Sequence, residues 1–308
     1  MKRLVGILFA VLSFAFPALA GPYADVKVEK INDRVYALLG GIDVPNRQNG
    51  GYVNNVLVIL GNKGVILVDA GSHKSVAEHI KRAIRALTPD PVTHVLITHH
   101  HPDHHLGLVA FPDAQVIASE FCARQIAEDG AGMVWRMERM TGLTLGDTAP
   151  VTPQTVIAQH ARQAKTINGV TLELITPDTA HTDGDMMVWL PQDGVLATGD
   201  VMVHGVNPNI GDGNLKKWLA VLGSAGELPA STIMPGHGAL MRPADVANFQ
   251  ELMASFYKTV AQVHKDGGEM SDVRKKLDLA RWQKLSRFEE LMGRNISTVW
   301  LEIETDSF

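Results

Sequence analysis

Four histidine and aspartate side chains with the spacing of metal ligands lie within one short stretch of this sequence. Read as His-x-His-x-Asp-His, the stretch supplies His99, His101, Asp103 and His104. Imidazole nitrogens together with a carboxylate suit zinc, and a catalytic zinc keeps one coordination position open for water. The stretch therefore predicts a catalytic zinc site, and it offers more ligands than one catalytic zinc needs.

Three later residues share a setting with this motif, because each follows a short apolar run and lies among glycine or threonine. They are His181, Asp200 and His237. Loops at one edge of a sheet can bring polar ligands together without burying unpaired backbone groups. Together with the motif, these residues are enough ligands for two metal ions.

Short apolar runs predict the strands that would position these side chains. Val95-Leu96-Ile97 leads into the motif, and a hairpin of residues 56–60 and 65–68 ends at Asp69. A carboxylate at that strand end is either a turn-former or an acceptor that orients a ligand histidine. Strands that alternate with helical patterns favour a layered fold with helices packed on sheets.

The helical patterns mark the elements around this scaffold. One runs from Val76 to Leu87, with Ser72 as the expected N-cap, and the histidines beside it, His73 and His79, are predicted to lie on the surface. Others cover residues 120–140, the stretch after Pro243, and about residues 272–292. Within the motif, His100 and His105 fall off the ligand pattern and are predicted not to be ligands.

The first residues have the pattern of a secretory signal peptide. Lys2-Arg3 precede an uncharged apolar run from Leu4 to Phe16, and Ala18-Leu19-Ala20 follow as a cleavage site. Residues 1–20 are therefore predicted to be a signal peptide, with the mature chain beginning near Gly21. The prediction is a periplasmic or secreted protein with no membrane anchor after cleavage.

Composition limits the partners that this chain can have. Of its 308 residues 45% are hydrophobic, which after removal of residues 1–20 allows one large domain or two small ones with a sizeable core. A net charge of −5 and the absence of a long basic run argue against nucleic acid as a partner. Cys122 is the only cysteine, so no disulfide can form within the chain. A small-molecule substrate is expected, and the oligomeric state is left open.

The order His-x-His-x-Asp-His, His, Gly-Asp and Gly-His-Gly resembles the metallo-β-lactamase superfamily over roughly residues 31–240. The resemblance implies an αββα sandwich of two mixed β-sheets with flanking helices and the metals at one edge. It implies a single hydrolase domain over residues 21–308, with C-terminal helices from about residue 243. It implies two zinc ions, with iron or manganese less favoured. The implied ligands are His99, His101 and His181 for the first ion and Asp103, His104 and His237 for the second, with Asp200 bridging and Asp69 in support.

Within the superfamily, the aspartate at position 200 resembles glyoxalase II-like thioesterases and lactonases, whereas β-lactamases usually have cysteine or serine there. The phrase from His181 to Asp185 is similar to that of exported zinc hydrolases associated with quinoprotein relay systems or sulfur oxidation. The implied reaction is hydrolysis of an ester, thioester, lactone or amide bond of a small molecule, with Asp103 and Asp200 orienting the nucleophilic water. An exported β-lactamase and a non-catalytic zinc- or iron-binding periplasmic protein are the alternatives.

Substrate contacts are expected from two loops beside the metals. One follows Asp200 and contains His204, Asn207 and Asn209. The other runs from Asn46 to Tyr52 and would form the opposite rim. An ordinary loop role is the competing interpretation for both.

Overall fold

Two β-sheets form the centre of the protein, for which the computed structural model describes residues 26–306. The predicted signal peptide lies outside these residues. The first sheet has seven strands in chain order, antiparallel up to β4 and parallel from β4 to β7. They are β1 (Lys27–Lys30), β2 (Val35–Leu39), β3 (Val56–Gly61), β4 (Gly64–Val68), β5 (Val92–Leu96), β6 (Gln115–Ser119) and β7 (Thr155–Ile157).

The second sheet has five strands in the order β12-β11-β10-β9-β8. Its strands are antiparallel except for the parallel pair β11 and β12. The bounds are β8 (Ala161–Ile167), β9 (Val170–Thr176), β10 (Met187–Leu190), β11 (Val195–Val203) and β12 (Thr232–His237).

Helices cover the outer face of each sheet. Between β4 and β7 lie α1 (Lys74–Leu87), α2 (Pro102–His105), a 3-10 turn (Leu106–Ala110) and α3 (Glu120–Thr141). After β11 come α4 (Leu215–Gly226), α5 (Pro243–Lys265), α6 (Met270–Lys276), α7 (Leu279–Trp282) and α8 (Phe288–Asp306).

The apolar residues of β4 show how the layers are held together, because successive side chains of a strand point to opposite faces. Ile66 and Val68 lie in the core between the two sheets, whereas Val65 and Leu67 pack with α1. Trp218 of α4 and Phe256 of α5 belong to the core on the other side of the second sheet. The αββα sandwich of two mixed sheets is confirmed. Among the described helices, none has the length and apolar character needed to cross a lipid bilayer.

Two helix predictions were wrong. Ser72 does not cap α1, because the helix begins after His73, and His73 is buried with its Nε2 at 2.7 Å from the carbonyl oxygen of Gly50. The single helix expected over about residues 272–292 is three helices, since Leu277 is extended and Arg287 has a left-handed backbone with φ of 64°.

Candidate metal centre

Parallel pairing of β4 with β5 places Asp69 beside the histidine motif, because the carboxyl ends of parallel strands meet at one edge of a sheet. Asp69 follows β4 with φ of 65°, a left-handed conformation that aspartate tolerates better than most residues. Its carboxylate accepts hydrogen bonds from the backbone N–H and the hydroxyl of Thr98, at 2.8 and 2.9 Å. Pro102 then starts α2, whose single turn carries Asp103 and His104.

The second sheet supplies two further ligands from inside its strands. Asp200 and His237 were expected in loops, but β11 continues to Val203 and His237 is the last residue of β12. A register shift at Gly199, which has φ of 52°, redirects the chain just before Asp200. A Cβ atom on Gly236 would lie 1.9 Å from Asp200 Oδ1, so only glycine allows β12 to pass this close.

The structure brings all seven candidate ligands into two adjoining groups of side chains, each with its ligand atoms within 4.8 Å of one another. Asp200 contacts histidines of both groups: Oδ1 lies 3.3 Å from His104 Nε2, and Oδ2 lies 3.2 Å from His237 Nε2 and 3.5 Å from His181 Nε2. The position of Asp200 is therefore that of a bridging carboxylate. The first group is His99, His101, His181 and Asp200, and the second is Asp103, His104 and His237.

Each histidine of the two groups has one ring nitrogen held by a residue outside the groups, and its other ring nitrogen belongs to the ligand set, where His101 Nδ1 and His181 Nε2 lie 2.8 Å apart. The occupying atoms are of three kinds: carboxylates, backbone carbonyls and a hydroxyl. His104 Nδ1 meets Asp69 at 2.8 Å, His101 Nε2 meets Asp212 at 3.0 Å, His181 Nδ1 meets the carbonyl of Asn209 at 3.0 Å, His237 Nδ1 meets the carbonyl of Val53 at 2.8 Å, and His99 Nδ1 meets the hydroxyl of Thr98 at 3.0 Å.

Unpaired polar atoms indicate that these groups fit metal ions. Within residues 26–306, the buried atoms His99 Nε2, His104 Nε2 and Asp200 Oδ1 have no well-aligned hydrogen-bond partner. Burying such atoms without a partner costs free energy, and coordination to a cation would satisfy all three. The donor set of imidazoles and carboxylates suits zinc.

Burial and neighbouring charges set the protonation of the site. Burial lowers the pKa of His181 to about 3 and that of His99 well below its usual range, so both rings are neutral, as metal ligands must be. Burial also opposes charge on His104, but the carboxylates of Asp103, Asp200 and Asp69 together raise its pKa. Metal binding at the second group therefore competes with protons.

The segment between β11 and α4, residues 204–214, orients two of the ligands and is referred to as the orienting loop. It provides the carboxylate of Asp212 to His101 and the carbonyl of Asn209 to His181. The hydrogen bond to His101 lowers the pKa of Asp212, so this carboxylate stays charged. Sequence reasoning missed Asp212, although its position between two glycines beyond Asp200 was a usable signal.

Helix α8 forms hydrogen bonds with the orienting loop through Asn295. Asn295, fully buried, donates from Nδ2 to the carbonyl of Pro208 at 2.8 Å and accepts from the N–H of Ile210 at 3.1 Å. Arg294 of the same helix lies 3.3 Å from Asp212 Oδ1. No local sequence signal connects Asn295 with the metal site, because the contact spans 85 positions or more.

The three residues of this loop that were candidates for substrate contact differ in their surroundings. His204 Nδ1 lies 3.2 Å from the carbonyl of Ala239. Asn209 uses its side-chain oxygen to accept from Gly211 N–H at 3.2 Å. Asn207 is buried, and its two amide atoms have no hydrogen-bond partner among the described residues. A role in substrate contact stays a prediction for all three.

The motif histidines predicted not to be ligands lie outside both groups. His105 is fully buried, and its Nε2 is 3.1 Å from the sulfur of Met133. The ring of His100 packs against Phe121 with centroids 5.9 Å apart. Both contact side chains of α3, and Cys122, in the first turn of that helix, is buried in the core.

Comparison with known proteins places this site in a family. Residues 49–237 match the family model of the metallo-β-lactamase superfamily. The α subunit of 2,4-dinitroanisole O-demethylase from Nocardioides sp. (strain JS1661) is 26% identical over 294 residues, which covers 90% of this chain and 79% of that protein. The metallo-β-lactamase type 2 of Bacillus sp. (strain 170) is 23% identical over 196 residues, or 60% of this chain and 66% of that protein.

Solved structures show the same fold. A metallo-β-lactamase from Pontibacter korlensis superposes with a TM-score of 0.60 at 22% identity, covering 74% of this chain and 99% of that one. A stereoselective inverting sec-alkylsulfatase from Pseudomonas sp. superposes with a TM-score of 0.70 at 17% identity, and it covers 89% of this chain, which spans half of that one. The family model alone matches more than half of the sequence and contains all seven candidate ligands. The chain belongs to the metallo-β-lactamase superfamily.

Proposed function

We propose that this protein is a zinc-dependent hydrolase that uses two metal ions to cleave an ester, thioester, lactone or amide bond of a small molecule. The observation that carries the proposal is the position of Asp200. Its Oδ1 lies 3.3 Å from His104 of the second group, and its Oδ2 lies 3.2 Å from His237 of the second group and 3.5 Å from His181 of the first. Two metal ions that share a carboxylate are the usual arrangement for activating one water between them.

The donor types support zinc as the metal. Every candidate ligand is an imidazole or a carboxylate, and the single cysteine is buried outside both groups. Iron and manganese can use the same donors, so metal analysis of the protein purified from its natural source must decide between them.

The residues around the site have separable roles in the proposed reaction. When bound, zinc would supply a water molecule that loses a proton near neutral pH, and a cationic centre that polarises the scissile carbonyl. Asp103, which is half-buried, and Asp200, which is buried, would accept hydrogen bonds from that water and orient it. Asp69 and Asp212 would keep His104 and His101 in the tautomers that leave a nitrogen for the metal.

Beta-lactam hydrolysis is the second candidate activity, and the match to the Bacillus β-lactamase favours it. That match covers 60% of the chain, whereas the O-demethylase subunit and the alkylsulfatase each cover about nine tenths. The substrates named for those two proteins therefore also belong in a test of activity. Retained metal without any hydrolysis would instead indicate a non-catalytic metal-binding protein.

We also propose that the protein acts in the periplasm or outside the cell on a small molecule and without nucleic acid. The apolar run after Lys2-Arg3 and the Ala18-Leu19-Ala20 site support export, and the net charge of −5 disfavours a polyanionic partner. Amino-terminal sequencing of the protein from culture fractions would test this, with Gly21 as the expected first residue.

The test of the proposed activity is metal content together with hydrolysis of a panel of substrates. The panel is a thioester, a lactone, an aryl ester, a chromogenic β-lactam, 2,4-dinitroanisole and a secondary alkyl sulfate. We expect two equivalents of zinc and cleavage of at least one carbonyl substrate that stops when a chelator is added.

His101→Ala and Asp103→Ala should abolish turnover while the protein stays folded. His79→Ala, outside both groups on α1, is the matched control. Full activity of either ligand variant in its zinc-loaded form would overturn the proposal.

A further inference from the structure

The segment just before α8 lies between the two rims of the metal site. The N–H of Ser286 donates to the carbonyl of Gly205 at 2.9 Å, and its carbonyl accepts from the N–H of Asn207 at 2.9 Å. The Ser286 hydroxyl donates to the carbonyl of Ile42, in the loop that leads to the opposite rim, at 2.7 Å. The next residue, Arg287, is therefore placed beside both loops that border the metal ligands.

The backbone at Arg287 holds its side chain in an unusual direction. Its φ of 64° lies in the left-handed region, which a long unbranched side chain such as arginine adopts at a cost in free energy. The side chain is only 19% exposed, so it turns into the protein rather than out into solvent. Such strain persists where the surrounding structure imposes it, and it is concentrated at functional sites.

Only one edge of the Arg287 guanidinium is hydrogen-bonded to a neighbouring side chain. Its Nε and Nη2 atoms donate to the two carboxylate oxygens of Glu290, at 3.1 and 2.8 Å. Across residues 26–306, Nη1 makes no hydrogen bond to another residue. A guanidinium has two edges that can each hold an oxyanion, so the Nη1 and Nη2 edge is available to a second anion.

Carboxylates of the metal site affect the pKa of this guanidinium. Burial opposes its charge, but Glu290, Asp103 and Asp200 raise the pKa of Arg287. Asp103 belongs to one ligand group and Asp200 to the other, so carboxylates of both groups stabilise the charge of this guanidinium. Since Glu290 pairs with only one edge of the guanidinium, the other edge can hold an oxyanion at short range.

We propose that Arg287 binds an anionic group of the substrate, a carboxylate or a sulfonate-like oxyanion, at a distance from the bond that is cleaved. The inference rests on the proposed hydrolytic function and narrows its substrate class to anionic small molecules. Arg287 would act in binding and not in the chemical step.

A pair of aryl esters that differ by one charge tests this role. The 4-nitrophenyl monoester of glutaric acid carries a carboxylate where 4-nitrophenyl valerate carries a methyl group. In Arg287→Gln, we expect the KM for the glutarate ester to rise about 10- to 100-fold, as for a lost charge-assisted hydrogen bond, with kcat little changed. The kcat/KM for the valerate ester should stay within about twofold in that variant, and Arg287→Lys should recover part of the loss. The 4-nitrophenyl ester of 4-sulfobutanoic acid carries a free sulfonate in place of the carboxylate. Comparing its KM with that of the glutarate ester shows whether the site prefers carboxylate or sulfonate.

Arg162→Gln is the matched control. Arg162 lies on β8 and forms a surface ion pair with Glu173 of β9, so the substitution removes an arginine away from the metal ligands. Equal effects of Arg287→Gln on both esters, or no effect on either, would overturn the proposal and leave Arg287 with a structural role. Calorimetry measures the binding of glutaranilic acid and of the neutral valeranilide without any need for turnover. It therefore distinguishes absence of the anion site from absence of hydrolytic activity. If the natural protein cleaves neither ester, glutaranilic acid binding that disappears in Arg287→Gln still supports the anion site, and binding that is absent or unaltered rejects it.

Discussion

At the scale of single residues, the metal site depends on the partners that hold each ligand ring. Asp212 fixes His101, and Asp69 fixes His104 while accepting two hydrogen bonds from Thr98. A ligand whose ring orientation is fixed in advance loses less conformational entropy when the metal binds. The supporting residues should therefore control metal affinity without being ligands themselves.

Asp212→Ala tests this dependence. Loss of the carboxylate frees the His101 ring, and we expect zinc to bind the first ligand group about 10- to 100-fold more weakly. Competition with a chromophoric chelator measures this change directly. Asp147→Ala is the control, because Asp147 is a surface carboxylate paired with Lys74 and remote from the ligands. Unchanged zinc affinity in Asp212→Ala would show that the orientation of His101 does not depend on this contact.

Asp185 gives a prediction about pH. It accepts hydrogen bonds from the N–H and hydroxyl of Thr182, next to His181, and burial raises its pKa from 3.8 to about 7. Because the folded pKa exceeds the unfolded one, the contribution of Asp185 to stability is fully present below pH about 4 and lost as the pH rises to about 7. At about 1.4 kcal/mol per unit of pKa, the loss is up to about 4 kcal/mol.

Asp185→Asn should therefore gain stability relative to the natural protein between pH 5 and pH 8. Urea unfolding with chelator present measures the difference at both pH values. Asp183→Asn, at an exposed neighbouring position, is the control. A stability difference that is the same at both pH values would contradict a raised pKa at Asp185.

At the scale of elements, the metal site is built by strand ends and held by a helix from another part of the chain. The first sheet contributes the histidine motif after β5, and the second contributes Asp200 and His237 from β11 and β12. Helix α8 adds no candidate ligand, but Asn295 holds the orienting loop in place. This helix lies beyond residues 49–237, the part that matches the family model.

Asn295→Ala tests the contribution of α8. The substitution leaves a buried N–H and a buried carbonyl of the orienting loop unpaired, which should lower the free energy of unfolding by about 1–3 kcal/mol. The same change should weaken zinc binding, because Asn209 and Asp212 lie in that loop. Denaturant unfolding and zinc titration measure the two effects. Asn248→Ala, at an exposed position of α5, is the control, and equal behaviour of the two variants would contradict the role assigned to α8.

The elements also show where sequence reasoning succeeds and where it fails. Strands such as β3 and β4 could be predicted because their apolar runs are short and end in turn residues. The break at Arg287 could not, since its left-handed backbone is imposed by contacts of Ser286 with distant loops. Candidate ligands have a local spacing that can be read directly, and Asp212 has a local signal in the glycines on either side of it. The roles of Asn295 and Arg287 depend on tertiary contacts that no local pattern encodes.

At the scale of the whole molecule, bound metal would join the two sheets. His99 and His101 follow a strand of the first sheet, whereas Asp200 lies within the second, yet all three belong to one ligand group. A ligand that binds only the folded protein stabilises it, by about 2.7 kcal/mol at a concentration 100-fold above its Kd.

Removal of the metal should therefore lower the thermal unfolding midpoint. We expect a decrease of about 5–10 °C with a chelator, and recovery when zinc is added back. Differential scanning calorimetry measures the midpoint, with His101→Ala as a control that should respond less to the chelator. An unchanged midpoint in the natural protein would show that metal does not connect the two sheets.

The attachment of the orienting loop to α8 has a consequence for how the protein matures. A ribosome releases the chain from its amino end, so every candidate ligand up to His237 emerges before Asn295 can reach Pro208 and Ile210. In a nascent chain at that stage, the loop that orients His101 and His181 is not yet held by Asn295. Zinc captured then would exchange readily, and lasting incorporation would wait until the final helix has docked.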